Sequence, residues 1–117
     1  MDMNKLFVYG TLKRAFREDE TLGAEYIGDY ETDERWVLFD FGAYPALVPG
    51  ESVVSGEVWQ IPSETLSAID RYEGQQFARR EIQVKATDSE EWEWIESYLF
   101  VNTSRMLGNH NLCTTWG

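Results

Sequence analysis

The order of apolar and polar residues predicts a chain built mainly of short strands. Residues 6–9 and 36–39 are unbroken apolar runs, which are typical of buried strands, and the first strand is predicted over residues 5–9. Alternating patterns predict a strand over residues 51–61 and an antiparallel hairpin formed by residues 77–86 and 91–101 around a turn at 87–90. A strand is also compatible with residues 24–30. Residues 40–49 contain a glycine and two prolines, so they predict a loop or a broken strand.

One helix is predicted, over residues 64–73. Ser63 is a suitable N-cap, and Gly74 follows the last helical residue, where a glycine commonly ends a helix. Leu66 and Ile69 define the apolar face of this helix.

Glu73 projects from the middle of that apolar face, because it follows Leu66 by seven residues and Ile69 by four. Burial and the negative end of the helix dipole would both raise the pKa of this carboxyl toward the range useful for proton transfer. In the alternative interpretation the helix frays, and Glu73 turns to solvent or pairs with Arg79 or Arg80.

Two glycines mark further features. Gly10 directly follows the first apolar run and predicts a turn whose free N–H groups could bind a carboxylate or a phosphate; an ordinary tight turn is the alternative. Gly56 lies inside a predicted strand, which indicates a bulge or the close approach of another segment or a ligand.

The composition narrows the class of protein. The 117 residues are consistent with one domain, with a core over about residues 5–101 and a C-terminal tail at 102–117, which Met106, Leu107 or Trp116 could hold against the domain. The formal net charge of −11 argues against partners such as nucleic acid or an anionic membrane. No stretch is long and apolar enough to cross a bilayer.

The remaining sequence features favour a cytoplasmic protein without a metal site. The N-terminal residues do not read as a signal peptide, and Cys113 is the only cysteine, so no internal disulfide is expected. A single cysteine and a single histidine, His110, form no metal-ligand cluster of the usual kind, and His110 is expected at the surface. The eight acidic residues between 18 and 34 are interpreted as a solvated face.

Four motifs, in order, resemble those of the γ-glutamylcyclotransferase-like family, which includes AIG2-like proteins and γ-glutamylamine cyclotransferases. The resemblance extends over roughly residues 5–101. The motifs are Tyr9-Gly10-Thr11-Leu12, Tyr44-Pro45-Ala46-Leu47-Val48-Pro49-Gly50, Val54-Ser55-Gly56-Glu57-Val58-Trp59, and Asp70-Arg71-Tyr72-Glu73-Gly74 with Phe77-Ala78-Arg79.

The resemblance implies an α+β fold, a mostly antiparallel β-barrel with one main helix packed on it. It also implies an enzyme that releases 5-oxoproline from a γ-glutamyl amine or peptide by intramolecular cyclisation, without a cofactor. Glu73 would be the catalytic acid and base. The substrate would be bound by the remaining predicted site residues: Tyr9, Gly10, Thr11, Leu12, Tyr44 and Tyr98.

The sequence departs from the family pattern at three places. Phe100 and Phe77 stand where many relatives have tyrosine, with Tyr98 two residues before Phe100 on the same face. Residues 15–18 differ from the usual continuation of the first motif. These departures affect the expected substrate more than the expected fold.

Two other functions are compatible with the sequence. The same scaffold could hold a γ-glutamyl or amino-acid ligand without turning it over, since a fold alone does not imply a reaction. The acidic surface could instead bind a basic protein partner. The leaving amine and the oligomeric state are left open by the sequence.

Overall fold

The computed structural model describes residues 3–101 and 112–116. It contains eight strands and two α-helices in these ranges. The strands are β1 (Met3–Val8), β2 (Glu25–Thr32), β3 (Trp36–Asp40), β4 (Pro45–Pro49), β5 (Ser55–Pro62), β6 (Phe77–Ala86), β7 (Glu93–Phe100) and β8 (Leu112–Cys113). The helices are α1 (Thr11–Glu18) and α2 (Ser63–Glu73).

Five of the strands close into a barrel. Antiparallel pairing joins β1, β5, β2, β6 and β7 in that order, and a parallel pairing of β7 with β1 closes the ring. The other strands extend the sheet from β7, in the order β4, β3, β8. The predicted α+β fold, a mostly antiparallel barrel with one main helix, is therefore confirmed.

Alternate residues of the barrel strands form two separate apolar clusters. One cluster contains Leu66 and Ile69 of α2, so it lies on the outer face of the barrel, where a helix can pack. The other cluster takes the intervening residues and fills the inner face. Its fully buried members include Phe7, Val58 and Val84.

The helix α2 confirms the predicted amphipathic segment and its apolar face. Gly74 ends it with a positive φ of 69°, a conformation that favours glycine. The prediction that Ser63 is the N-cap was wrong. Ser63 is the first helical residue, the cap is Pro62 in an extended conformation, and the Ser63 hydroxyl accepts a hydrogen bond from Asn4 at 2.9 Å.

The helix α1 was not predicted, and β4 was predicted only as a loop or a broken strand. Residues 11–18 are mostly polar, but Leu12, Ala15 and Phe16 have the spacing of an apolar helix face, a short signal that the sequence interpretation missed. Phe16 packs on Trp59 with ring centroids 5.6 Å apart. Tertiary contact therefore stabilises a helix of eight residues that is too short to be stable alone.

Gly56 confirms the predicted close approach of another chain segment. A Cβ atom at Gly56 would lie 2.5 Å from the Val8 carbonyl oxygen and 2.6 Å from the Phe7 ring. Only glycine lets β5 approach β1 this closely.

The C-terminal residues 112–116 lie against the domain. β8 pairs with β3, the Ser55 N–H donates to the Thr114 carbonyl at 2.9 Å, and Trp116 packs against the inner cluster. Met106, Leu107 and His110 lie outside the described residues. Within residues 3–101 and 112–116, no helix has the length and apolar character needed to cross a bilayer.

Candidate active site

A pocket of about 590 Å³ lies where β1 ends, beside the C-terminal end of α2 and the loop between β3 and β4. Its volume is in the range of small-molecule sites. All seven predicted site residues contribute to its wall. The lining residues are Phe7, Val8, Tyr9, Gly10, Thr11, Leu12, Ala43, Tyr44, Pro45, Tyr72, Glu73, Gln76, Phe77 and Tyr98.

The pocket forms at a fork in the sheet. β7 pairs with β1 at Glu96 and Ser97, and then with β4 at Leu99. The buried Ser97 hydroxyl donates to the Phe7 carbonyl at 2.9 Å, which reinforces the first pairing. Where β7 exchanges one neighbour for the other, the chain after β1 turns away and leaves space for the pocket.

Tyr9 bridges this fork with its hydroxyl group. The hydroxyl donates to the Tyr98 carbonyl at 2.7 Å and accepts a hydrogen bond from the Leu47 N–H. Burial raises the pKa of Tyr9 far above its ordinary value, against the effect of the Leu47 bond, and the charge of Glu73 adds to the increase. Tyr9 therefore lines the pocket, but its hydroxyl is already committed to backbone groups.

Gly10 is required by a close contact. A Cβ atom at Gly10 would lie 2.6 Å from Cγ of Pro45, so the first and second sequence motifs pack directly on each other. Gly10 has a φ of −136°. The sequence interpretation, which attributed this glycine to a turn, did not include the Pro45 contact.

The turn after Gly10 leads directly into α1. The N–H groups of Thr11 and Leu12 lie in the first turn of that helix, where they have no intrahelical acceptor, and no side chain caps this end. The next N–H, of Lys13, is bonded to the Gly10 carbonyl at 3.0 Å. These N–H groups and the positive end of the helix dipole suit a carboxylate.

Glu73 lies half-buried in the pocket wall at the last turn of α2. Burial raises the pKa of its carboxyl above the ordinary value of 4.5. The alternative pairing with Arg79 does not occur, because Arg79 is bound to Asp70 and Glu96. Arg80 donates to the Arg79 carbonyl.

Tyr98 is held by an ion-pair network beside the pocket. Its hydroxyl donates to Oδ1 of Asp70 at 2.5 Å. Arg79 donates from Nε to Oδ1 of Asp70 at 3.0 Å and from one terminal nitrogen to Oδ2 at 2.9 Å, while the other contacts Glu96 at 2.7 Å. Burial acts to raise the pKa of Asp70, but the bonds from Arg79 and Tyr98 outweigh it and lower the pKa below its ordinary value.

Aromatic rings form another part of the wall. Tyr44 lies 5.3 Å from Phe41 and 6.3 Å from Phe77 between ring centroids, so it both lines the pocket and packs in the loop. Phe100 belongs to a neighbouring apolar cluster, whereas Tyr98 lies in the pocket wall.

Asp70 and the bond it makes to Tyr98 were missed by the sequence interpretation. A signal was present, because a hairpin centred on the predicted turn at 87–90 places Arg79 opposite Tyr98, and that register is observed. Asp70 directly follows the buried Ile69 on α2, and its carboxylate lies beside Arg79 and Tyr98.

Comparison with known proteins identifies the family of this chain. Residues 6–116 match the model of the family described as "Gamma-glutamyl cyclotransferase, AIG2-like". The chain belongs to this γ-glutamylcyclotransferase-like family. It is 31% identical over 102 residues to a putative gamma-glutamylcyclotransferase of Vibrio cholerae, covering 86% of this chain and 85% of that protein.

Two further similarities extend over most of the chain. The gamma-glutamylcyclotransferase family protein YtfP of Escherichia coli strain K12 is 37% identical over 82 residues, or 68% of this chain and 72% of YtfP. The crystal structure of a mouse AIG2-like protein superimposes with a TM-score of 0.74 at 26% identity, covering 95% of this chain and 88% of that one.

We predict that Tyr9→Phe lowers the free energy of unfolding by about 1–3 kcal/mol, because it removes one hydrogen-bond partner from each of two backbone groups at the fork. Urea denaturation measures the change. Tyr26→Phe is the control, since its hydroxyl also bonds an oxygen but 42% of the residue is exposed, and we expect a change within about 0.5 kcal/mol. Equal effects of the two variants would contradict a structural role for the Tyr9 hydroxyl.

We predict that Glu73→Gln stabilises the protein at neutral pH. Folding raises the pKa of Glu73, so the folded state binds the proton more tightly and the wild type loses stability as the pH rises from 4.5 through the folded pKa. The melting temperatures of variant and wild type should therefore agree in acid and diverge above that window. Glu64→Gln, an exposed position on the same helix, should show no such gain. A Glu73→Gln variant less stable than wild type at neutral pH would contradict the prediction.

Proposed function

We propose that this protein releases 5-oxoproline from a γ-glutamyl compound by intramolecular cyclisation. The observation that carries the proposal is the half-buried Glu73 carboxyl in the same pocket as the start of α1, whose N–H groups have no side-chain cap. Family membership supports the same reaction class.

In the proposed reaction, the substrate's α-amine nitrogen attacks its own γ-carbonyl carbon. A new C–N bond closes the five-membered ring, and the bond between the γ-carbon and the attached amine breaks. Two protons pass overall from the attacking nitrogen, initially an ammonium, to the leaving amine. The reaction consumes no water and involves no oxidation or reduction.

The N–H groups of Thr11 and Leu12 would hold the substrate α-carboxylate at the positive end of α1. Fixing this group lets the γ-glutamyl chain fold back so that the nitrogen reaches the carbonyl carbon. Such positioning supplies a large part of the rate enhancement in intramolecular reactions. The site needs no arginine for this purpose, because backbone donors and the helix dipole supply the positive potential.

Glu73 would take a proton from the α-ammonium and deliver it to the leaving amine. The raised pKa of Glu73 suits both steps, because a carboxyl that ionises closer to neutral pH is a stronger base and still a usable acid.

The developing charge on the γ-carbonyl oxygen needs a donor, for which the sequence left two candidates. The Tyr9 hydroxyl already donates to the Tyr98 carbonyl, so the structure favours a backbone N–H of the glycine turn.

The electrostatics of the pocket favour neutral or cationic leaving amines. A shallow groove formed by residues 73–76 and Val101 adjoins the pocket. Among the described residues that line the pocket and this groove, Glu73 is the only one with a charged side chain. An anionic leaving group would find no counter-ion there, and the whole chain carries a net charge of −11.

Glu73→Gln should abolish 5-oxoproline release, because glutamine cannot transfer the proton, while ligand binding survives. We expect a loss of at least about 100-fold in kcat, in line with the usual contribution of a general acid–base group. Glu64→Gln is the matched control on the exposed part of α2 and should retain wild-type activity.

The measurement is product release by purified protein from a panel of γ-glutamyl amines and peptides. In wild type, the acid limb of kcat/KM should lie above pH 4.5, since Glu73 must be ionised to act as the base. Substantial turnover by Glu73→Gln would refute the assigned role, and binding without turnover in the wild type would favour a binding module.

We further predict that γ-glutamylglycinamide is a better substrate than γ-glutamylglycine, which differs from it mainly by one negative charge. We expect a difference of about tenfold in kcat/KM, because even a partly screened like-charge contact with Glu73 costs about 1–2 kcal/mol. The gap should narrow at high salt. A preference for γ-glutamylglycine would contradict this account of the pocket.

A further inference from the structure

We propose that Asp70, fixed by Arg79, makes the Tyr98 hydroxyl an obligate hydrogen-bond acceptor for the α-amine of the substrate. The proposal rests on the proposed function, since it names the group that orients the attacking nitrogen. Asp70 and Arg79 would act as positioning residues, and Tyr98 would contact the substrate.

The direction of the hydrogen bond follows from the partners of Asp70. Arg79 donates to both carboxylate oxygens of Asp70, at 3.0 Å and 2.9 Å. An ionised carboxylate can only accept, so the hydroxyl of Tyr98, 2.5 Å from Oδ1, must donate its single proton to Asp70. The only capacity left on the Tyr98 oxygen is acceptance.

The network also fixes where this oxygen lies. Arg79 is held at its third nitrogen by Glu96, and it stands opposite Tyr98 in the β6–β7 pairing. Asp70 comes from α2, just before the turn that carries Glu73. One ion-pair network therefore ties the helix that bears Glu73 to the strand that bears Tyr98.

Tyr9, the second buried tyrosine of the pocket, is also a hydrogen-bond donor to the protein. Tyr9 donates to the carbonyl of Tyr98, so its hydroxyl proton is also unavailable to a ligand. Glu73, when ionised, is likewise an acceptor. Tyr9, Tyr98 and Glu73 all line the same pocket.

The pocket consequently has separate donor and acceptor regions. The N–H groups of Thr11 and Leu12 donate, whereas Tyr98 and Glu73 accept. A substrate ammonium or amine fits the acceptor region, but a carbonyl oxygen does not. The γ-carbonyl is therefore directed away from Tyr98, while the attacking nitrogen is held against it.

Binding of two small ligands tests the proposal. One of them, L-glutamine, is itself a γ-glutamyl amide, so each titration uses fresh protein and is checked for free 5-oxoproline. L-Glutamine carries the α-amine, and glutaramic acid is the same molecule without it. Dissociation constants for both can be measured by following the backbone amide resonances during titration. Wild type should prefer L-glutamine, and Tyr98→Phe should reduce that preference by about tenfold, the cost of one hydrogen bond to a charged group.

Asp70→Asn should also reduce the preference, because an amide no longer dictates which partner donates. The matched controls are Tyr26→Phe and Asp29→Asn, a second tyrosine–aspartate pair with an O–O distance of 2.5 Å that does not line the pocket. Both controls should retain the wild-type ratio. A purely structural defect would weaken the two ligands equally and leave the ratio unchanged.

The proposal is overturned if Tyr98→Phe keeps the wild-type ratio, or if wild type itself shows no preference for L-glutamine. If the amide spectrum shows that Asp70→Asn does not fold, the ligand preference of Tyr98→Phe alone tests the proposal. Absence of 5-oxoproline release in a protein that still shows the Tyr98-dependent preference would refute the proposed reaction but not the amine site.

Discussion

The hydroxyl of Tyr9 is the interaction on which the pocket depends. It stands where β7 exchanges β1 for β4, and it satisfies a carbonyl on one strand and an N–H on the other. Buried backbone groups need such partners, and a fork in a sheet leaves them without ladder bonds. Because Tyr9 occupies the fork, the chain can turn at Gly10 against Pro45 and begin α1 at the edge of the pocket.

The need to satisfy buried polar groups also determines which groups of the pocket donate and which accept hydrogen bonds. The hydroxyl groups of both buried tyrosines donate to protein acceptors: Tyr9 donates to a carbonyl and Tyr98 donates to Asp70. In the proposed site, backbone N–H groups at the start of α1 would donate to the ligand, and Tyr98 and Glu73 would accept from it. Burial raises the pKa of Glu73, so we expect the ionised carboxyl in the pocket wall to cost stability at neutral pH. A costly carboxyl in a pocket is typical of a functional group.

Much of the fold could be predicted because its signals are local. The β6–β7 hairpin, the helix α2 with its buried Leu66 and Ile69, and the inward position of Glu73 all follow from periodicity. The helix α1 was missed, since its apolar face is short and its buried residue, Phe16, contacts a distant strand. The close contact of Gly10 with Pro45 and the hydrogen bond of Tyr9 with Leu47 join segments far apart in sequence, so neither could be inferred without the tertiary structure. Family resemblance identified the pocket residues. The hydrogen-bond network around Asp70 became apparent only from the observed pairing of Arg79 with Tyr98 between β6 and β7.

The most direct test of the central claim is the fate of the oxygen atoms when the protein acts on a γ-glutamyl amine in ¹⁸O-labelled water. Intramolecular attack by the α-amine predicts 5-oxoproline that carries no label, released together with one equivalent of amine. Labelled glutamate would mean that water, and not the substrate's own nitrogen, attacks the γ-carbonyl, and this result would contradict the proposed mechanism.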